Sequence, residues 1–360
     1  MAWLAHFADQ AQATLLHRHG RQILGVAASR ALFEVLGQAD QPQVPLYRQR
    51  LQLAAWVLRH GAHEWQSLPG RGRLWLNVGH TGLDLPGLAD WVLATDVKPM
   101  LMVHDLIPIT HPEYCRLGEA DRHRRRMATA LAIAHGLIGN SENTIASLAW
   151  FAATEGVALP PCLVAWPGTS QLPMLAKRPD CNDFVILGTI EGRKNHSLLL
   201  DVWKRLIARF GEEAPRLLII GRRGWACDEV LALLDAGGFG SRVRESGPLD
   251  DAGIAGKLAG ARALLFPSRA EGYGLPLVEA LDAGVPVIAS DLTVFREIGQ
   301  GVPDLLPPDD VDGWLDAIMA YAAPGSAARA AQMQRLQGFH APDWDGHFRK
   351  VMPFLDQLDG

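Results

Sequence analysis

The chain has 360 residues, of which 48% are hydrophobic and 20% charged, with a formal net charge of −5. That length suits two domains. The composition excludes a largely disordered chain, and the mild acidity excludes a general nucleic-acid binder, which carries a basic excess. Four scattered cysteines (Cys115, Cys162, Cys181, Cys227) form no C-x-x-C pair and read as buried thiols, neither a disulfide framework nor a zinc site.

The N-terminal stretch MAWLAHFADQAQATLLHRHGRQIL has no basic start followed by a continuous apolar core, so it is not a secretory signal. No run reaches the ~20 apolar residues of a membrane span. The expected location is therefore cytoplasmic. Two readings of this stretch stay open. It is a helix packed on the body, or a membrane-surface helix presenting Trp3, Leu4, Phe7, Leu15 and Leu16 beside His17, Arg18 and Arg21. The first 70 residues read as mainly helical.

From residue 73, short apolar runs alternate with longer periodic segments. RLWLNV (73–78), PMLMV (99–103), GLIG (136–139) and CLVAW (162–166) read as buried strands, and 86–94, 117–134 and 142–156 as helices. Segment 166–183, with three prolines and no periodicity, reads as a linker. The scheme then repeats with strands at FVILGT (184–189), RLLII (216–220), RALLF (262–266) and VPVIA (285–289). The first is followed by a Leu198, Leu199, Val202, Trp203, Leu206 stripe, typical of a helix laid on a sheet. The tail from 311 is helical. Near-continuous apolar strands between helices predict parallel sheets covered on both faces. The expected domains are 1–170, 171–338, and a C-terminal helical segment, 339–360, packing back toward the first.

Ligands of such sheets bind beyond the carboxyl ends of the strands. Three loops there are unusual. After FVILGT comes Ile190-Glu191-Gly192-Arg193-Lys194, which puts two cations at a helix start. The helix dipole opposes cations there, so the pattern fits a bound anion or two solvated side chains. After RLLII comes Gly221-Arg222-Arg223-Gly224, read as a surface turn or further positive charge for that anion. The third loop runs Pro267-Ser268-Arg269-Ala270-Glu271-Gly272-Tyr273-Gly274-Leu275-Pro276 and ends at Glu279. Its glycines precede a helix whose first turn has free N–H groups for a phosphate, and carboxylates such as Glu271 and Glu279 suit sugar hydroxyls.

EGYGLPLVEALDAGVPVIASD (271–291) resembles the glutamate–seven-residues–glutamate motif of glycosyltransferase family 4. GTIEGRKNHSLLLDVW (188–203) is similar to that family's strand-to-helix loop, and the likeness extends through GPLDDAGIAGKLAGARALLFPS (247–268). The resemblance implies the GT-B fold: two Rossmann-like α/β domains, a cleft between them and a C-terminal helix that crosses back. It implies a retaining hexosyltransferase with a nucleotide-sugar donor and no other cofactor. Glu279 would bind ribose and Glu271 the donor sugar. The backbone of Gly272, Tyr273, Gly274 and Leu275 would approach sugar and diphosphate. Lys194, with Arg193 beside it, would neutralise the diphosphate, and Arg222 of the second loop is read as a further donor-side cation. Thr189 stands where many members place an arginine.

In the first half, Met102-Val103-His104-Asp105 is similar to the family's catalytic-histidine loop; the other reading is an Asp-paired histidine that only holds the loop. Gly79-His80-Thr81-Gly82 is an acceptor-side contact or a simple turn, and Asn140-Ser141-Glu142 a helix cap. The strings Asp310-Val311-Asp312 and Asp343-Trp344-Asp345 read as caps, so no essential metal is expected. HDLIPITHPEYC (104–115) most resembles bacterial mannosyltransferases of polysaccharide synthesis. GDP-mannose is then the leading donor, with UDP-sugars open, and the acceptor a glycan or lipid-linked oligosaccharide. A lipid-linked acceptor would bring the chain to the inner membrane face through the N-terminal helix or the Arg122–Arg126 patch. The alternative is a non-catalytic nucleotide-sugar-binding subunit.

Overall fold

The computed structural model describes residues 2–7, 10–17, 20–39, 70–169, 172–173 and 183–359. The expected domain boundary at 170/171 and most of the proposed linker lie outside the described residues. Helix α1 (Ala2–Phe7) leads into an antiparallel hairpin, β1 (Thr14–His17) and β2 (Gly20–Ile23), then helix α2 (Val26–Ala39). This corrects the reading of a single amphipathic N-terminal helix. Leu15 and Leu16 lie in a strand, where β-branched Thr14 and Gly20 favour hairpin over helix. Trp3 does not face outward either: it is 9% exposed, with its ring 5.3 Å from that of Phe348.

A first sheet has parallel strands β3 (Leu74–Asn77), β4 (Lys98–Val103), β5 (Gly136–Gly139) and β6 (Cys162–Val164) in that order. Helices α3 (Leu88–Thr95), α4 (Ile107–Thr110), α5 (Glu119–Ile133) and α6 (Glu142–Glu155) connect them. The second sheet has six parallel strands: β7 (Phe184–Leu187), β8 (Leu217–Ile220), β9 (Val243–Gly247), β10 (Ala263–Phe266), β11 (Val287–Ser290) and β12 (Asp304–Leu306). Its order is β12-β11-β10-β7-β8-β9. Helices α7 (His196–Phe210), α8 (Asp228–Asp235), α9 (Asp251–Leu258), α10 (Leu275–Asp282), α11 (Thr293–Ile298), α12 (Val311–Ala322) and α13 (Ala327–Leu336) surround it.

Strand alternation explains why these runs are apolar throughout. Phe184 and Ile186 of β7 face the core under α7 and α12, while Val185 and Leu187 face the opposite core with α10 and α11. In β4, Leu101 and Val103 enter one core, and Met100 and Met102 meet Phe348, Val351 and Leu355 of the last helix, α14 (Trp344–Asp359). The C-terminal helix thus crosses back to cover one face of the first sheet. His135 Nε2 reaches Leu358 O at 2.7 Å.

The basic patch on α5 is largely neutralised. Arg122 and Arg126 both bond Asp84, and Arg124 bonds Glu155. That favours a solvated helix face over a membrane contact. No helix among the described residues is long and apolar enough to cross a membrane.

Candidate active site

The strand order of the second sheet reverses between β7 and β10, and that switch point is where an open sheet leaves a crevice for a ligand. The loops after these two strands meet there. Gly188 and Gly221 let the loops after β7 and β8 touch: a Cβ on Gly221 would stand 1.9 Å from Gly188 O. The chain then forms a short 3-10 turn, Gly192–Lys194, before α7. Asn195 ties that turn down, its amide donating to Pro267 O (3.1 Å) and Pro308 O (2.8 Å).

Glu271, in the loop after β10, is the hub. Its Oε1 accepts from Lys194 Nζ at 2.5 Å and Ser268 Oγ at 2.8 Å, and its Oε2 from Arg193 Nη1 at 2.6 Å. Arg193 Nε also meets Glu191 Oε1 at 2.7 Å. Burial alone would raise the Glu271 pKa, but the adjacent Lys194 and Arg193 charges outweigh it and hold the carboxyl below the usual range. Two cations and two carboxylates balance here. Any anion entering here has to compete with Glu191 and Glu271 for Arg193 and Lys194.

Past Glu271, Gly272, Tyr273 and Gly274 are buried, and Gly274 is the N-cap of α10. Pro276 lies in the first turn of that helix, and Leu275 is 41% exposed. The expected row of free N–H groups is reduced here: Pro276 has none, and the Leu277 and Val278 N–H groups turn to Gly274 O at 3.0 and 3.4 Å, so what the helix start offers an anion is chiefly its dipole. Glu279 is half-buried in the same helix. Thr189 packs its Cγ2 where a Cβ on Gly224 would fall.

Arg222 is exposed on the β8 loop, and Arg223 is bound to Glu245 and Asp235. The Glu271 cluster therefore draws its cations from the β7 loop, and Arg223 is committed elsewhere.

His104 directly follows β4, and its main-chain carbonyl faces Gly272, next to this cluster, from the first domain. Its N–H donates to His80 Nε2 (3.3 Å), and its carbonyl accepts from Asn140 Nδ2 (2.8 Å). Its Nε2 is 2.7 Å from Val78 O. A carbonyl only accepts, so Nε2 carries a proton in this contact. Asp105 accepts the Ile107 N–H at the start of α4, and its carbonyl bonds His123 Nε2 at 3.0 Å. His80 is buried, with its pKa pushed down to about 3 by burial and by the neighbouring His104, His123 and Arg126. It is thus a neutral acceptor that holds the His104 backbone. Thr81 is exposed in the same turn, its carbonyl bonded by Asn77.

Asn140 and Ser141 do more than cap α6. Ser141 Oγ accepts the Thr144 N–H (3.0 Å) and donates to Gly272 O across the cleft (2.8 Å). Trp225 Nε1 donates to Tyr114 O, and Arg116 lies 4.6 Å over the Trp225 ring, so the 111–118 segment also reaches the second domain. Beside Glu271, a cavity of about 230 Å³ opens between the domains, lined among others by Asp105, Asn143, Ser147, Glu271 and Thr293.

Both D-x-D strings are caps: Asp310 Oδ1 accepts Gly313 N–H and Asp343 Oδ1 accepts Gly346 N–H. Among the described residues no group of three or more His, Cys, Asp or Glu could hold a metal. Sequence reading gave no role to Glu191, to Ser268 or to Glu297 of α11, whose carboxylate accepts from Trp166 Nε1 at 2.8 Å. Their roles come from tertiary contacts, and in the sequence each looks like an ordinary loop or helix residue.

Two Rossmann-like domains with a cleft between them, closed by a helix crossing back, define the GT-B class of fold. Sucrose-phosphate synthase from Thermosynechococcus elongatus shares it, with a TM-score of 0.59 at 19% identity, covering 97% of this chain and 86% of that one. Within that class, residues 181–323 match the family of glycosyl transferases group 1. The chain is 35% identical over 126 residues to O-antigen chain mannosyltransferase B of Escherichia coli, spanning 35% of this chain and 33% of that protein. It is 37% identical over 156 residues to the phosphatidyl-myo-inositol mannosyltransferase of Mycobacterium leprae (strain TN), spanning 42% and 40%. The chain thus spans about a third of the length of the first of these curated relatives.

Proposed function

We propose that the chain is a retaining glycosyltransferase that moves a hexose from a nucleotide diphosphate to an acceptor hydroxyl. The observation that carries this reading is the buried Arg193–Glu271–Lys194 cluster at the switch point of the second sheet, opposite His104. Breaking the sugar–phosphate bond builds negative charge on the leaving diphosphate and positive charge on the sugar. Arg193, Lys194 and the first turn of α10 supply preorganised positive potential for the first, and this kind of term is often the largest in catalysis. When a diphosphate takes over the two cations, Glu271 is released to accept from donor-sugar hydroxyls. Glu279 would hold the ribose. Retention fits attack on the face the diphosphate leaves, with the donor's own phosphate taking the acceptor proton. His104 would contact the donor sugar from the first domain.

Mannose from GDP-mannose is the leading donor, because both relatives above are named mannosyltransferases. A glycan or lipid-linked oligosaccharide on the cytoplasmic side is the acceptor that suits such relatives, reached by peripheral membrane contact if it is lipid-linked. The test is a screen of GDP- and UDP-sugars for binding, hydrolysis and transfer. Turnover of GDP-mannose is expected. Response to a UDP-sugar alone would overturn the donor assignment, and binding without turnover by any donor would point instead to a non-catalytic binding subunit.

A further inference from the structure

Glu297 lies in α11, in the second domain, yet its carboxylate serves the first. Oε1 accepts the N–H of Glu142 at 2.9 Å and the indole N–H of Trp166 at 2.8 Å; Oε2 is 3.4 Å from the N–H of Asn143. Glu142 and Asn143 are the first two residues of α6. Such N–H groups have no partner inside their own helix. Ser141 takes only the third, that of Thr144. The cap of α6 is therefore completed by a glutamate from the other domain, and its negative charge sits at the positive end of the helix dipole.

The same turn of α6 holds the parts of the site that meet across the cleft. Ser141 Oγ bonds Gly272 O, and Thr144 Oγ1 is 3.1 Å from that oxygen and 3.2 Å from His104 O. Displacing α6 would move both the donor loop and the His104 loop. Glu297 also joins the two walls of the interdomain cavity, since Asn143 and Ser147 belong to α6 and Thr293 to α11. Through Trp166 it reaches the point where the chain leaves the first sheet. The Trp166 carbonyl is bonded in turn by His347 Nδ1 of α14, at 3.0 Å.

We propose that Glu297 is a positioning residue that latches the two domains in the closed arrangement and so keeps His104 and Gly272 in register. It acts through α6. Its effect on turnover rests on the glycosyltransferase reading above; the latch itself does not.

The test compares Glu297→Ala, Glu297→Asp and Glu297→Gln in the full chain. Both shorter bonds use Oε1, so a glutamine can keep them through its amide oxygen, while aspartate is one methylene too short to reach. Amide exchange at Glu142 should speed at least about tenfold in the Ala and Asp variants and clearly less in Gln, which keeps the Oε1 bond without its charge, whereas Asn143, whose acceptor Oε2 becomes a donor NH2 in Gln, should exchange faster in all three. Transfer kcat should fall about tenfold in Ala and Asp and stay within about threefold in Gln, with a larger share of donor lost to hydrolysis as water enters the unlatched cleft. Should Ala fail to fold, Asp carries the comparison. Unchanged exchange in Ala and Asp overturns the latch. Faster exchange with unchanged kcat and unchanged hydrolysis share overturns the positioning role. A parent chain that turns over no nucleotide sugar overturns the glycosyltransferase reading, and the exchange result is read independently of it.

Discussion

Gly272 of the second domain lies against the main-chain carbonyl of His104 in the first: a Cβ on Gly272 would stand 2.2 Å from that oxygen and 2.6 Å from Asp105 Cβ. No side chain, however small, fits there without moving one domain away from the other. The first glycine of the loop after β10 is thus the contact point for the opposing strand end.

Gly272→Ala is therefore expected to block this closed arrangement while leaving each domain intact, because the clash is between domains and not inside a core. Transfer should drop about 100-fold, the order of loss that a misplacement near 1 Å produces. The melting temperature should stay close to that of the parent, and small-angle scattering should report a larger radius of gyration. Unchanged transfer would show that the Gly272–His104 contact is not part of the working geometry.

Glu271→Gln tests a different property of the same loop. The Glu271 and Lys194 side chains are only 7% and 9% exposed. Removing one partner of a buried pair leaves an uncompensated charge, worth about 3–5 kcal/mol of stability. A nucleoside diphosphate supplies the missing anion, so it should restore more stability to Glu271→Gln than to the parent. The pH sign follows from the depressed carboxyl. Its stabilisation is present above the ordinary value of 4.5 and is lost as pH falls through the lower folded value. Denaturant titrations at pH 7 and below pH 4.5 should show that the variant lacks this acid-side loss.

How much of this was legible in the sequence depended on what each residue touches. GLIG (136–139) was read as a strand to the residue, because every position is buried and apolar. The β9 strand VRESG was not, because it is an edge strand with three exposed polar positions. The N-terminal hairpin escaped because its leucines match a helical stripe as well as a strand. In the site, Arg193, Lys194 and Glu271 stood out through loop chemistry at strand ends. Arg223 had the same local signature, yet its charge is used by Glu245 and Asp235, which the chain brings in from β9 and α8. Glu297 had no local signature at all, since its partners lie 131 to 155 residues away.

The contrast between the two loops gives a binding prediction. Lys194→Ala should weaken nucleoside diphosphate affinity by about 10- to 100-fold, the worth of one charge-assisted hydrogen bond. Arg223→Ala should change it by less than about twofold, because that guanidinium is held by carboxylates outside the cluster. Calorimetry with GDP and UDP separates the two. Equal losses in both variants would mean that Arg223 leaves Glu245 and Asp235 to meet the ligand.

The buried histidines predict acid lability at pH values where the carboxylates are still ionised. His196, at the start of α7, is 2% exposed, neither ring nitrogen has a hydrogen-bond partner, and burial followed by the Lys194 charge pushes its pKa down to about 3. His80 is pushed equally low. Each ring is neutral when folded and gains a proton when the chain unfolds below pH 6.5. The unfolded state then binds more protons, so stability falls with falling pH between 6.5 and about 3. For each histidine the loss at pH 5 is about 2 kcal/mol. His196→Leu removes one such proton and also two unsatisfied buried nitrogens, so it should be neutral or stabilising at pH 7.5. Its advantage over the parent should then grow by about 2 kcal/mol on going to pH 5. Denaturant midpoints for both proteins at the two pH values test this. An advantage that does not grow on acidification would mean that His196 takes up its proton in the folded chain.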